Sequence, residues 1–262
     1  MTHPLLNVRE GAVARLRLNR PDLHNAFDAV VIAALTGALE AVAADDSVRV
    51  VVLEGEGASF SAGADLNWMR GMAAASEDAN REDSLALARL MRTLDELPKP
   101  TIARVHGAAF GGGVGLVACC DIAIAAPEAK FGLTESKLGL LPAVISPYVI
   151  EAIGPRQARR WFATAEIFAA DVALQIGLVH QVVPAGELDH AVQRQIDLLL
   201  KAGPVASATA KALVRRVTGE RDRDRDLLDA DNAALIAGLR VSPEGQEGLG
   251  AFLEKRKPRW AE

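Results

Sequence analysis

Two short glycine-containing segments carry the residue types best placed to do chemistry: Phe60-Ser61-Ala62-Gly63-Ala64-Asp65 and His106-Gly107-Ala108-Ala109-Phe110-Gly111-Gly112-Gly113. Each follows a β-rich run, residues 48–53 and 101–106 respectively. In open α/β sheets ligands bind beyond the carboxyl ends of the strands, and glycine lets backbone N–H groups approach them with no Cβ in the way. Two such loops can converge on one oxygen. If Gly112 stands at the first turn of a helix over 113–120, its amide is left free and the helix dipole favours negative charge there. A lone glycine triplet more often only permits a tight turn or close helix packing. The triplet is no phosphate loop, because no Lys-Ser or Lys-Thr follows at the required spacing, and a dinucleotide fingerprint fits poorly.

Ser146-Pro147 reads as an N-cap followed by proline at the first helical position. A helix beginning there aims free N–H groups outward, where a distal substrate carboxylate can dock. Tyr148, the only tyrosine, either adds a hydroxyl or packs. Arg70 and Lys137 are candidate cationic partners, though each is equally a solvated side chain. His24, His106 and His180 fall near turns or strand ends without a Ser or Cys nucleophile motif. No cluster of ligand types suggests a metal site.

The elements that must position these residues follow a βα rhythm in the first half. Residues 12–18 and 48–53 are β-rich, and 28–44 carries apolar residues at helical spacing with Asp28 as its N-cap. A helix over 82–97 ends at Pro98 and Pro100; a strand over 101–106, a buried helix over 116–120 and a strand over 121–125 follow. The rhythm predicts mainly parallel strands covered by helices. Beyond Ser146 the pattern is helical over 147–153, 155–163, 169–175, 188–202, 204–217, 224–239 and 242–255, with one strand at 178–183. The Arg-Asp alternation at 221–226 reads as a solvated helix start with local ion pairs. We divide the chain into a core over 1–200 and a C-terminal helical module over 201–262.

The chain has 262 residues, half of them apolar, and a formal charge of -5. That is one large domain with a substantial core. No long uncharged apolar run suggests a membrane span, no global basic bias suggests nucleic acid, and no leader pattern opens the sequence, so a cytoplasmic protein is expected. The adjacent Cys119 and Cys120 are poorly placed to bridge each other and read as buried thiols.

Taken together, Asn19-Arg20-Pro21 with Asn25-Ala26, Phe60 to Asp65, Gly107 to Gly113, Cys120-Asp121, and Phe131-Gly132-Leu133-Thr134-Glu135 with Leu138-Gly139 resemble the crotonase (enoyl-CoA hydratase/isomerase) family. Residues 60–69 and 142–148 look most like its methylglutaconyl-CoA and carboxygeranoyl-CoA hydratase branch. The resemblance implies a spiral of ββα units, C-terminal helices used in a homotrimer or dimer of trimers, and an acyl-CoA thioester substrate, with coenzyme A part of the substrate and no separate cofactor. It implies an oxyanion hole from the Ala64 and Gly112 amides. Backbone around Ala26, Ala62, Asp65 and Leu66 would hold CoA, and Phe252 and Lys255 would help cover it. Relatives that hydrate enoyl thioesters usually carry two glutamates. Here Gly115 stands at the first position, which leaves Glu135 alone and suggests space for a branched acyl chain. The implied activity is hydration of a 2-enoyl-CoA, possible acyl groups including carboxylated ones. An isomerase using one base, or a noncatalytic acyl-CoA binding protein, are the alternatives.

Overall fold

The computed structural model describes residues 3–219 and 224–261. The chain opens with an antiparallel hairpin, β1 (Leu5–Glu10) and β2 (Val13–Leu18). Helix α1 (Ala29–Ala44) then returns the chain to β3 (Val50–Gly55), which lies parallel to β2. Asp28 caps α1 by accepting from the Val31 amide, so that expectation holds. Next come α2 (Leu66–Ala74), α3 (Glu77–Asp95), β4 (Thr101–Val105), β5 (Ala108–Phe110), α4 (Gly112–Cys119), β6 (Ile122–Ala125) and β7 (Lys130–Gly132). The remainder is α5 (Ser146–Thr164), β8 (Ile167–Ala169), α6 (Ala170–Gln175), β9 (Gln181–Val182), α7 (Leu188–Lys201), α8 (Pro204–Val217), α9 (Arg225–Val241) and α10 (Pro243–Leu253).

Two sheets result. Six strands run in the order β1-β2-β3-β4-β6-β9, all parallel except the opening hairpin. A smaller sheet, β5-β7-β8, takes the short strand that follows each turn at the end of β4 and β6. This is an α/β fold with a helical C-terminal region. The main core fills the space between the large sheet and α1, α3, α4 and α5, with Leu35, Leu53, Leu94, Leu116 and Phe131 fully buried. The other sheet face, Val50, Val52 and Ile102, packs on Leu188, Val192 and Ile196 of α7. Cys119 and Cys120 are buried as expected, and burial pushes the Cys120 thiol up to about 12. Among the described residues no helix is long and apolar enough to cross a membrane.

Several elements differ from the sequence reading. β1, β5, β7, β8 and α2 were not foreseen; three of them are three-residue strands with no room for a period-two pattern. The strand expected over 178–183 shrinks to two residues. The two helices expected over 147–163 are one helix kinked at Gly154, which has φ 76. In the Arg-Asp alternation, 221–223 lie outside the described residues. Asp224 caps α9, while Arg225 and Asp226 pair with Asp95 and Arg92 of α3, so those ion pairs are tertiary rather than local.

The Asn19-Arg20-Pro21 and Asn25-Ala26 residues lock one loop. Asn25, almost fully buried and at φ 56, accepts from Arg20 N–H (2.9 Å) and donates to the carbonyls of Glu56 (2.8 Å) and Ser59 (2.7 Å). Arg20 in turn donates to the Ala26 carbonyl and pairs with Asp28 and Asp65. Buried polar groups stripped of their partners are costly, and alanine tolerates the left-handed region less well than asparagine. Asn25→Ala should therefore lower unfolding free energy by about 3 kcal/mol in urea denaturation.

Candidate active site

The two glycine segments are stitched together by main-chain hydrogen bonds. Phe60 N–H donates to the His106 carbonyl, Ser61 N–H to Ala108, and Phe110 N–H to Ser61, each at 2.9 Å. A second bridge joins the locked loop to the first segment, with Phe27 N–H on the Gly63 carbonyl (2.7 Å) and Asp65 N–H on the Phe27 carbonyl (2.8 Å). In that parallel pairing the residue between, Ala64, turns its own N–H away from Phe27. The Gly111 N–H continues the β5-β7 ladder onto Gly132 O, and Gly112 starts α4, where first-turn amides have no helical acceptor. Neither the Ala64 nor the Gly112 amide has a hydrogen-bond partner among the described residues. Close approach explains the glycines: a Cβ on Gly63, at φ 84, would stand 2.9 Å from the Phe110 carbonyl oxygen.

Ala64, Gly112 and Glu135 line one cavity of about 510 Å³. Glu135 arrives on the 3-10 turn Thr134–Leu138, directly after β7. Its Oε1 lies 3.1 Å from where a Cβ on Gly111 would be, so glycine at 111 admits the carboxyl to the start of α4. The residue faces the cavity, but Oε2 is sealed from solvent and has no hydrogen-bond partner. Burial pushes the carboxyl up to about 7, opposed only by a backbone hydrogen bond. A carboxyl with that value exchanges protons readily near neutral pH.

The rest of the wall is largely apolar: Phe27, Trp68, Met69, Met72, Leu87, Leu141, Val144, Ile145, Ile236 and Leu249. Of the other expected site residues, Ala62, Phe252 and Lys137 line the cavity. Ala26, Leu66 and Lys255 stand outside its wall, as does Arg70, which donates to Asn67. The Asp65 carboxylate caps α2, accepting from Asn67 N–H and Trp68 N–H, and pairs with Arg20. Two expectations are corrected. Ser146 does not cap α5. Ile145 holds that position, while the Ser146 amide and hydroxyl both donate to the Ala143 carbonyl, and Tyr148 is buried outside the cavity against Arg225. Gly115 opens no space for substrate, because a Cβ there would collide with Ile145 Cγ2 and approach Met91 Cε at 3.2 Å. Ile145 occupies the place, and it is Ile145 that faces the cavity.

The three histidines hold backbone or side-chain partners outside the cavity, His24 with Ser59, His106 with Gly57 O and His180 with Ala123 N–H. Sequence reasoning missed most of the wall, including α2 and the α9 residues Ile236 and Arg240. The Ile236-Arg240 spacing of four marks one face of a helix, but not what that face meets.

The chain matches the enoyl-CoA hydratase/isomerase family model over residues 8–262. It belongs to that family. A crotonyl-CoA hydratase of Syntrophomonas wolfei is 35% identical over 95% of this chain and 94% of its own length. A 2,3-dehydroadipyl-CoA hydratase of Escherichia coli is 34% identical over 97% of both. The crystal structure of an enoyl-CoA hydratase from Shewanella pealeana superposes with a TM-score of 0.80 at 48% identity, covering 98% of this chain and 96% of that one. The chain is thus an enzyme of the hydro-lyase type that the family comprises.

The Ile145 packing against Gly115 makes the missing glutamate hard to restore. Gly115→Glu should lower unfolding free energy by about 3 kcal/mol or more, through overpacking and a buried carboxyl, without raising activity. Adding Ile145→Ala should recover part of that stability; a single variant as stable as the parent in thermal melts would contradict the packing account.

Proposed function

We propose that this protein hydrates a 2-enoyl-CoA with Glu135 as its only acid-base residue. The observation that carries the reading is a buried carboxyl, one oxygen of which has no partner, in one cavity with two unpartnered amides. The thioester oxygen accepts from Ala64 N–H and Gly112 N–H. The Glu135 carboxylate takes a proton from water as the water oxygen bonds to C3, and the displaced π electrons gather on the thioester oxygen as an enolate. The Glu135 carboxyl then returns the proton to C2 on the same face. Water has been added across the double bond and the carboxylate is regenerated.

The acyl group we favour is branched or carboxylated, as in 3-methylglutaconyl-CoA. The resemblance of residues 60–69 and 142–148 to that branch supports it, as does the dicarboxylic substrate named for the Escherichia coli relative. A single base also suits movement of a double bond between C2-C3 and C3-C4, which needs a proton shuttled between C2 and C4 over the same oxyanion hole. Offering matched 2-enoyl and 3-enoyl thioesters separates the two: an isomerase generates conjugated absorbance from the 3-enoyl ester, whereas a hydratase converts the 2-enoyl ester to the 3-hydroxyacyl product and leaves the 3-enoyl ester unchanged. The C-terminal helices we read as contacts between copies in a trimer: α8 has no buried residue and exposes Val205, Leu213, Val214 and Val217.

Glu135→Gln should reduce kcat for enoyl-CoA hydration by about 10²- to 10⁴-fold while CoA-ester affinity stays within a few-fold; retained turnover would remove Glu135 from the chemistry. The base works ionised, and its carboxyl sits at about 7 rather than near 4.5. For the parent, kcat/KM should accordingly rise about tenfold per pH unit below 7 and level off above it. A plateau already reached at pH 5 would contradict the burial of the base.

A further inference from the structure

Arg240 is a cation in the cavity wall that the hydration step does not use. It lies on α9, one turn after Ile236, and its side chain is only 12% exposed. Its Nη1 donates to Asn80 Oδ1 (3.2 Å) and to Asp83 Oδ2 (3.4 Å), both on α3. Asp83 is held in turn by Trp68 Nε1 at 3.1 Å, and the Trp68 ring lies 5.8 Å from the Arg240 Cζ. The guanidinium is therefore anchored through one nitrogen. Its Nε and Nη2 have no hydrogen-bond partner among the described residues, and neither is sealed from solvent. Those two N–H groups project side by side from one edge, the arrangement that grips a carboxylate. Arg17 turns the same edge to Glu54, with Nε and Nη2 each 2.8 Å from Oε1.

A hydrocarbon tail in this cavity would cover that edge and leave it unpaired, which is costly for a charged donor. We infer that Arg240 is a specificity-determining residue that receives a carboxylate at the far end of the acyl group. This deepens the hydratase reading, on which it rests, and puts the distal anion at α9 rather than at Ser146 and Tyr148. Asn80, Asp83 and Trp68 are positioning residues that hold the guanidinium. Asp83 neutralises Arg240 in the resting protein, and burial pushes its carboxyl above the usual carboxylate range.

The test is equilibrium binding to the full chain of glutaryl-CoA and adipyl-CoA against the neutral valeryl-CoA and hexanoyl-CoA, none of which has a double bond to hydrate. The parent should bind at least one dicarboxylic ester about tenfold or more tighter than its neutral counterpart. Arg240→Lys, which keeps the charge and removes the paired edge, should cut that preference about tenfold, and Arg240→Gln should abolish it. Because Arg240→Gln strands Asp83, the double variant Asp83→Asn/Arg240→Gln provides an uncharged control that must also lose the preference. No preference in the parent, or an equal fall for acidic and neutral esters in the variants, overturns the proposal. If the preference stands while no enoyl-CoA is turned over, the carboxylate site survives and the hydratase reading fails.

Discussion

The approach of two strand-end loops to within main-chain hydrogen-bonding distance is the constraint on which the site depends. Residues 60–61 pair with 106–110, and Phe27 pairs across Gly63 and Asp65, so the segment over 60–65 is tied on one side to β5 of the smaller sheet and on the other to the loop before α1. This pairing consumes the neighbouring amides and leaves those of Ala64 and Gly112 over. Side chains could not be admitted there: a Cβ on Gly63 meets the Phe110 carbonyl, and one on Gly112 meets the Phe27 ring at 2.8 Å. Preorganised donors of this kind assist catalysis because they need not reorient as charge develops. Their rigidity has its source in the Arg20 and Asn25 hydrogen bonds that fix the loop before Phe27.

The same close packing sets the state of the base. Glu135 enters beside Gly111 with one oxygen sealed off, and no cation or hydroxyl compensates it. Its folded-state value, about 7, is raised above that of an exposed glutamate. The fold therefore loses stability as pH rises from about 4.5 through 7, where the unfolded chain has already released the proton. A basic carboxylate and a stable resting fold are in opposition at this residue. Filling the neighbouring position with Ile145 instead of a second acid keeps the surroundings apolar, which holds the value up without a like charge beside it. In the proposed hydration, one glutamate in an apolar pocket is enough for both proton transfers.

How much of this was legible in the sequence depended on whether the signal was local. The α1 cap at Asp28 and the parallel core strands were readable because each is encoded in one short run. Glu135 and the two amide-bearing residues were identified by resemblance, and the structure brings all three to one cavity. Residues whose meaning is set by a distant neighbour were not readable. Ser146-Pro147 has the look of a cap, yet the Ala143 carbonyl takes both its donors. Gly115 looks like open space until Ile145, thirty positions along, is found in it.

The cavity is also a test of how far the C-terminal helices are separable from the core. Ile236, Arg240, Leu249 and Phe252 form part of its wall, while Phe27 and Ala64 lie at the other end of the sequence. Helix α9 is held on α3 by Arg92 with Asp226 and Asp229, and by Arg225 with Asp95; beneath those pairs Ile236 packs with Ala88, Ala143 and Val144. Helix α10 starts from the Ser242 cap, and Gly248 lies so close to the Leu138 carbonyl that no Cβ fits there. Leu138 ends the turn that carries Glu135, so the helix that covers the cavity also bears on the position of the base. A division near residue 200 describes the change in composition, but the walls of the site cross it. An ester that fills the cavity therefore touches residues on both sides of that division, and its binding free energy adds to the stability of the whole fold by mass action.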